Sequence, residues 1–166
     1  MGPRERRLIR DNEEMNLLVD ERIAFSCEGN PPERYEITFS TPGIYLNAGR
    51  LETRQSHQAS IYLHKDYPRR PPVVAWATPV FHPNLLGPDR NGGVCIGSWA
   101  GGEGLADLCV RLADLVSYRS FNTADALNPE AADWALAHAV AQGADVASLT
   151  GLELVAEPVI KRAGFA

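Results

Sequence analysis

The 166-residue sequence is short of cysteine, of long apolar runs and of net positive charge. Its three cysteines, Cys27, Cys95 and Cys109, are an odd number with no close pair. That excludes a disulfide framework and a zinc knuckle as organising devices. No apolar run approaches the roughly 20 residues of a membrane-spanning helix, and the Arg-rich, acid-rich start has no signal-peptide core, so a reducing, cytoplasmic setting is expected. The formal net charge of -5 offers no general attraction to phosphate backbones. Internal repeats and low-complexity linkers are missing too.

What is present is ordinary globular composition, 45% hydrophobic and 22% charged, in a chain long enough to bury a core without staples. One domain over residues 1–166 is expected, with a core of about 4–141 and a helical extension of about 142–166, broken by Gly151 and Pro158. Leu8, Met15, Leu18 and Val19 fall at near-helical spacing and predict one amphipathic helix from about Arg4 to Glu21. After the break at Gly29-Asn30-Pro31-Pro32, Tyr35, Ile37 and Phe39 alternate with polar neighbours as a half-buried strand requires. Ile44–Leu46, Ile61–His64 and the apolar run Val73–Trp76 continue the pattern, with a turn at Asn47–Arg50. Strands this close, without helices between them, predict an antiparallel meander.

From Gly102 to Ser120 the period lengthens. Leu105, Leu108, Cys109, Leu112, Leu115 and Val116 share one face, which makes this a core helix and Cys109 a core residue. Asn128-Pro129-Glu130 opens another helix as cap, first residue and dipole-favoured acid; it contains Trp134 and Leu136 and is expected to end near Gly143.

Two stretches bear on chemistry. Asp66 to Asn84 holds five prolines, which fix their own and their predecessors' backbone angles and make a rigid, shaped segment. Asn91 to Trp99, NGGVCIGSW, sets Cys95 among glycines that would permit exposure of its sulfur. By itself Cys95 reads either as a nucleophile or as a small buried hydrophobe between Val94 and Ile96. His57, His64 and His138 form no metal spacing and are expected on the surface. The run RERRLIR, with Arg4, Arg6, Arg7 and Arg10, reads as a solvated helix face or as a partner surface.

Together Tyr67-Pro68-Arg69-Arg70-Pro71-Pro72, His82-Pro83-Asn84 and Gly93-Val94-Cys95, in this order, resemble the ubiquitin-conjugating enzymes over about Arg4 to Ala141. The resemblance implies an α+β ubiquitin-conjugating-enzyme-like fold: an N-terminal helix, an antiparallel four-stranded meander, then central and C-terminal helices. It implies that Cys95 receives a ubiquitin-like protein from an activating enzyme as a thioester and yields it to an amine of a target protein. Asn84 matches a residue that either donates to the oxyanion or braces the loop, Asp125 matches an acid that orients the incoming amine, and His82 matches a structural residue. The N-terminal helix, Arg4 to Arg10 included, would engage the activating enzyme.

Two departures from the family pattern stand out. LLGPDRNGG, between Asn84 and Cys95, is a few residues longer than usual, and Trp99 follows the cysteine sooner. The sequence also resembles the conjugating enzymes of bacterial ubiquitin-like operons, some linked to antiviral (phage) defence, whose further partner is a metal-dependent deconjugating protease. Neither a metal nor an organic cofactor is expected. A non-catalytic module that binds a ubiquitin-like protein is the alternative; a cysteine hydrolase ranks last because no histidine but His82 lies near Cys95 in the sequence.

Overall fold

A computed structural model describes residues 1–149; the expected extension beyond these, with Gly151 and Pro158, lies outside the described residues. Helix α1 (Pro3–Leu17) leads into strands β1 (Ile23–Gly29), β2 (Pro32–Asn47), β3 (Arg50–Tyr62) and β4 (Val73–Trp76), followed by helices α2 (Leu105–Val116) and α3 (Pro129–Ala137). The four strands form one antiparallel sheet in the order β1-β2-β3-β4. No helix among the described residues is long and apolar enough to cross a membrane.

The expected meander is therefore present, but its four strands are partitioned differently. Tyr35–Ser40 and Ile44–Leu46 belong to one strand, β2, interrupted by a register shift between Ser40 and Gly43 where Thr41 and Pro42 bulge out. Pro42 has no N–H to contribute to a ladder, so a bulge is where a strand tolerates it. The strand the sequence did not reveal is β1. It is a sheet edge, exposed from Ser26 to Gly29, so its pattern lacks a clean apolar alternation.

Tyr35, Ile37 and Phe39 of β2, Ala59 and Ile61 of β3 and Trp76 of β4 turn one face of the sheet towards α1 and α2. Phe39 stacks on Trp76 with centroids 5.4 Å apart. From α1, Leu8 and Met15 enter this core. The helix ends at Leu17 rather than near Glu21, because Leu18 turns to extended backbone, and Val19 is left 96% exposed instead of joining the stripe. Helix α2 buries Leu105, Leu108, Cys109, Leu112 and Val116 as expected, adds Ala113, and leaves Leu115 half-buried. Burial pushes the Cys109 thiol up to about 12, so it remains a protonated core group.

Both later helices stop on the same device. After α2, Tyr118 takes φ 59°, Arg119 N–H donates to Asp114 O (2.9 Å) and Tyr118 N–H to Leu115 O (2.9 Å). After α3, Ala139 takes φ 49°, Val140 N–H donates to Ala135 O (2.9 Å) and Ala139 N–H to Leu136 O (3.2 Å). These are paired Schellman bonds that satisfy the last carbonyls, and they end α3 at Ala137, six residues before Gly143. At the other end of α3 the expected cap is in place: Ala131 N–H donates to Asn128 Oδ1 at 3.1 Å. Tyr118 is held in its uncommon conformation by donating its hydroxyl to Phe81 O (2.7 Å) within a second apolar cluster that contains Ile44, Leu51 and Trp134.

The N-terminal arginines divide by role. Arg7 donates to Asp11 (2.9 Å), to Tyr67 Oη (2.9 Å) and to the carbonyls of Gly101 and Glu103. Arg4 donates to Glu33 (3.0 Å) and Leu63 O (2.8 Å). These two are structural ties, so the expected outward basic face from Arg4 to Arg10 reduces to exposed Arg6 and Arg10. A fully buried carboxylate, Asp11, is the hub beneath them: it accepts from Arg7, from the Tyr67 hydroxyl (2.6 Å) and from the N–H of Leu105, the first residue of α2 (3.2 Å).

Candidate active site around Cys95

The proline-rich segment ends in His82-Pro83-Asn84, all three buried. His82 is buried, and its Nδ1 accepts the Asn84 N–H at 2.9 Å. Burial drives its imidazole down to about 3, against the opposing Leu115 carbonyl, so it is neutral and acts as a fixed acceptor. This agrees with the structural role the resemblance implies. His57 departs from its expected surface position: it is fully buried beside Trp76, bonds to Arg54 O (2.9 Å) and is pushed down to about 4 by desolvation.

The long loop from Asn84 to Cys95 does not separate its ends. Leu85 bridges both His82 and Val94, Leu86 N–H donates to Gly93 O (2.8 Å), and Cys95 N–H donates to Asn84 O (2.9 Å). The extra residues are taken up by a short 3-10 turn at Pro88–Arg90, closed by Gly92 N–H to Gly87 O (3.0 Å). Gly92 itself is buried, not exposed. Its carbonyl accepts from Trp76 N–H (2.8 Å), its φ is +62°, and a Cβ there would lie 2.4 Å from Trp76 O. Only glycine combines this conformation with this approach.

Cys95 is partly exposed and opens, together with Asn84, into a cavity of about 240 Å³. Ile96, Leu108, Leu112, Leu115 and Phe121 make its apolar wall, and Arg111, Ser120, Asn122 and Gln142 its polar margin. The Asn84 side chain, 3% exposed, faces the loop that follows α2: Nδ2 donates to Asn122 O (2.9 Å) and Oδ1 accepts from Asn122 N–H (2.8 Å). An amide nitrogen has two donors, and this brace uses one Nδ2 hydrogen.

Asp125 is not part of the cavity lining. It is exposed, with φ 51°, on the same loop three residues beyond Asn122. That loop is fixed on both sides of it, by Asn122 against Asn84 and by Asn128 N–H to Pro83 O (3.1 Å). Trp99 turns inward and donates to Pro68 O (2.8 Å), which joins the segment after Cys95 to the Tyr-Pro turn. Sequence reasoning missed Asn122, Ser120, Arg111 and Gln142. Only Arg111 left a signal, as a charge set between Cys109 and Leu112 of an apolar helix. Among the described residues there is no group of three or more His, Cys, Asp or Glu able to hold a metal ion.

An N-terminal helix on a four-stranded meander, with a partly exposed cysteine held in an irregular loop beside the next helix, defines a conjugating-enzyme architecture. Human ubiquitin-conjugating enzyme E2 G1 superposes with a TM-score of 0.54 at 25% identity, covering 70% of this chain and 97% of that one. A structure described as a novel ubiquitin-conjugating enzyme superposes with a TM-score of 0.61 at 21% identity, covering 81% and 86%. The ubiquitin-conjugating enzyme family model matches residues 48–142, and the chain belongs to that family.

Proposed function

We propose that this chain accepts a ubiquitin-like protein from an activating enzyme as a thioester on Cys95 and passes it to an amine of a target protein. The observation that supports this most directly is the joining of Cys95 to Asn84 by a backbone hydrogen bond at the mouth of one cavity. In charging, the Cys95 thiolate attacks the activating enzyme's thioester carbonyl; a new C–S bond forms, the old one breaks, and the partner's thiolate leaves. Like bonds are exchanged, so an accessible sulfur suffices.

In discharge, the amine nitrogen adds to the thioester carbonyl and the carbonyl oxygen takes negative charge. Collapse forms the C–N bond and expels the Cys95 thiolate, and the amine's proton leaves to solvent or an acceptor carboxylate. The second Nδ2 hydrogen of Asn84 suits the transient oxyanion, and Asp125 suits the incoming amine. Arg6 and Arg10 are the outward basic groups on α1 for the activating enzyme. The resemblance to operon-encoded bacterial enzymes, some of them linked to antiviral defence, supports a bacterial ubiquitin-like conjugation pathway as the setting of the reaction.

The test is a charging reaction with activating enzyme, ubiquitin-like protein and ATP, resolved on nonreducing gels for wild type and Cys95→Ser. A thiol-sensitive adduct on wild type, and a thiol-resistant ester or nothing on the serine variant, is the expected result. An activating enzyme that charges while wild type takes no adduct would sink the carrier reading and leave a binding module.

A further inference from the structure

Nine residues, 96–104, run from Cys95 to α2, and none lies in a helix or strand. One backbone bond, Glu103 N–H to Ala100 O (2.9 Å), closes a turn among them, and the rest of their order comes from side chains. Trp99 and Arg7 secure the far part of the segment through Pro68 O and through the carbonyls of Gly101 and Glu103. The part next to Cys95 has the Ile96 side chain packed against the core of sheet and helices, and one polar contact besides. Arg111 of α2 donates from Nη1 to the carbonyl of Ile96 (3.0 Å), one residue past the thiol. Beyond that contact stands Gly97, with φ +74° and open space around it, a position where the backbone can turn at little steric cost.

Arg111 is itself aimed. Glu103 Oε2 accepts a hydrogen bond from Nη2 (3.1 Å) and Oε1 stands in ionic contact with Nε at 2.9 Å, and the Glu103 side chain is only 18% exposed. With Nη1 on the Ile96 carbonyl and Nη2 on Glu103, two separate nitrogens of one planar guanidinium are held, which a single lysine ammonium cannot reproduce. Cys95 is thus held from both sides, by Asn84 O on its own N–H and by Arg111 on the next carbonyl.

We propose that Arg111, oriented by Glu103, is a positioning residue for Cys95. It acts through the Ile96 carbonyl, holding the thiol towards Asn84 on the rim of the cavity that Arg111 also lines. The inference rests on the carrier reading of Cys95. Displacement of a reacting atom by about 1 Å costs up to about 100-fold in rate, so a loosened Ile96 should be felt in discharge.

The test compares full-length wild type with Arg111→Ala, Arg111→Lys and Glu103→Gln. One readout is the backbone order parameter at Ile96–Ser98 from nitrogen relaxation; the other is discharge of isolated thioester to free lysine, measured against its hydrolysis. For Arg111→Ala the order parameters should fall from the rigid range near 0.85 to below about 0.6, and aminolysis should slow about ten-fold relative to hydrolysis. Arg111→Lys should recover part of both, and Glu103→Gln should fall between; these two carry the test should Arg111→Ala fail to fold. Unchanged order at Ile96–Ser98, or an unchanged aminolysis-to-hydrolysis ratio in a charged variant, would overturn the proposal. Wild type that never charges, with Ile96–Ser98 loosened by Arg111→Ala, would instead overturn the carrier reading and leave the anchor in place.

Discussion

Asn84 and Asn122 interlock: one side-chain amide gives and takes a hydrogen bond with the backbone C=O and N–H of one residue, at 2.9 and 2.8 Å, across 38 residues of sequence. The loop that carries Asp125 is thereby registered against the loop that carries Cys95. Asn84 braces with one Nδ2 hydrogen, and the proposed donor role falls to the other. Asn84→Ala should therefore slow aminolysis of the thioester by roughly 100- to 1,000-fold if the donor role holds, and slow charging much less. Equal losses in single-turnover charging and discharge would assign Asn84 to the brace alone.

Asp11 and Arg10 sit one residue apart on α1 and should differ sharply. Asp11→Ala leaves the Tyr67 hydroxyl and the Leu105 N–H without their acceptor in a buried place and takes from Arg7 its carboxylate partner. Breaking a buried pair from one side costs roughly 3–5 kcal/mol. Arg10 pairs with Glu14 at 2.9 Å with both side chains well exposed, and such pairs are worth about 1 kcal/mol or less. Urea unfolding of Asp11→Ala and Arg10→Ala measures both; comparable losses would contradict the assignment of Asp11 as hub.

Acid should destabilise the fold through its two buried imidazoles. His57 and His82 are pushed down to about 4 and about 3 from the ordinary value of 6.5. Between about 6.5 and these values the unfolded chain binds protons that the folded chain refuses, so stability rises with pH there. The stabilisation is complete above about 6.5 and is lost as pH falls towards 3. Melting temperatures taken from pH 7 to pH 4 should decline, and His57→Gln should flatten the decline in the part it accounts for. An acid slope identical to wild type would shift the cause to other groups.

Much of this was legible in the residues because it depends on local rules. The alternation of Tyr35, Ile37 and Phe39, the apolar face of α2 and the cap at Asn128 are written in spacing and residue type. β1 was hidden because an edge strand with one exposed face and an exposed end needs no strict alternation. His57 was hidden for the opposite reason: its burial comes from the β2 bulge and Trp76, neither of which is its neighbour in sequence. The extra length before Cys95 was visible as a departure from the family pattern, but the bonds Leu86–Gly93 and Cys95–Asn84, which turn it into a loop with closed ends, were not.

By itself the sequence determined the helices, the strands other than β1, their order and the motif that contains Cys95, since periodicity, caps and a motif are properties of short stretches. The tertiary structure decided which groups share the cavity with Cys95. It brought Asn122 and Gln142 to that cavity, left Asp125 outside its lining, and gave Arg111 the carbonyl next to the thiol. These relations join residues from separate elements. They exist only where packing of α2 and the loops after it against the sheet brings polar groups within hydrogen-bond reach.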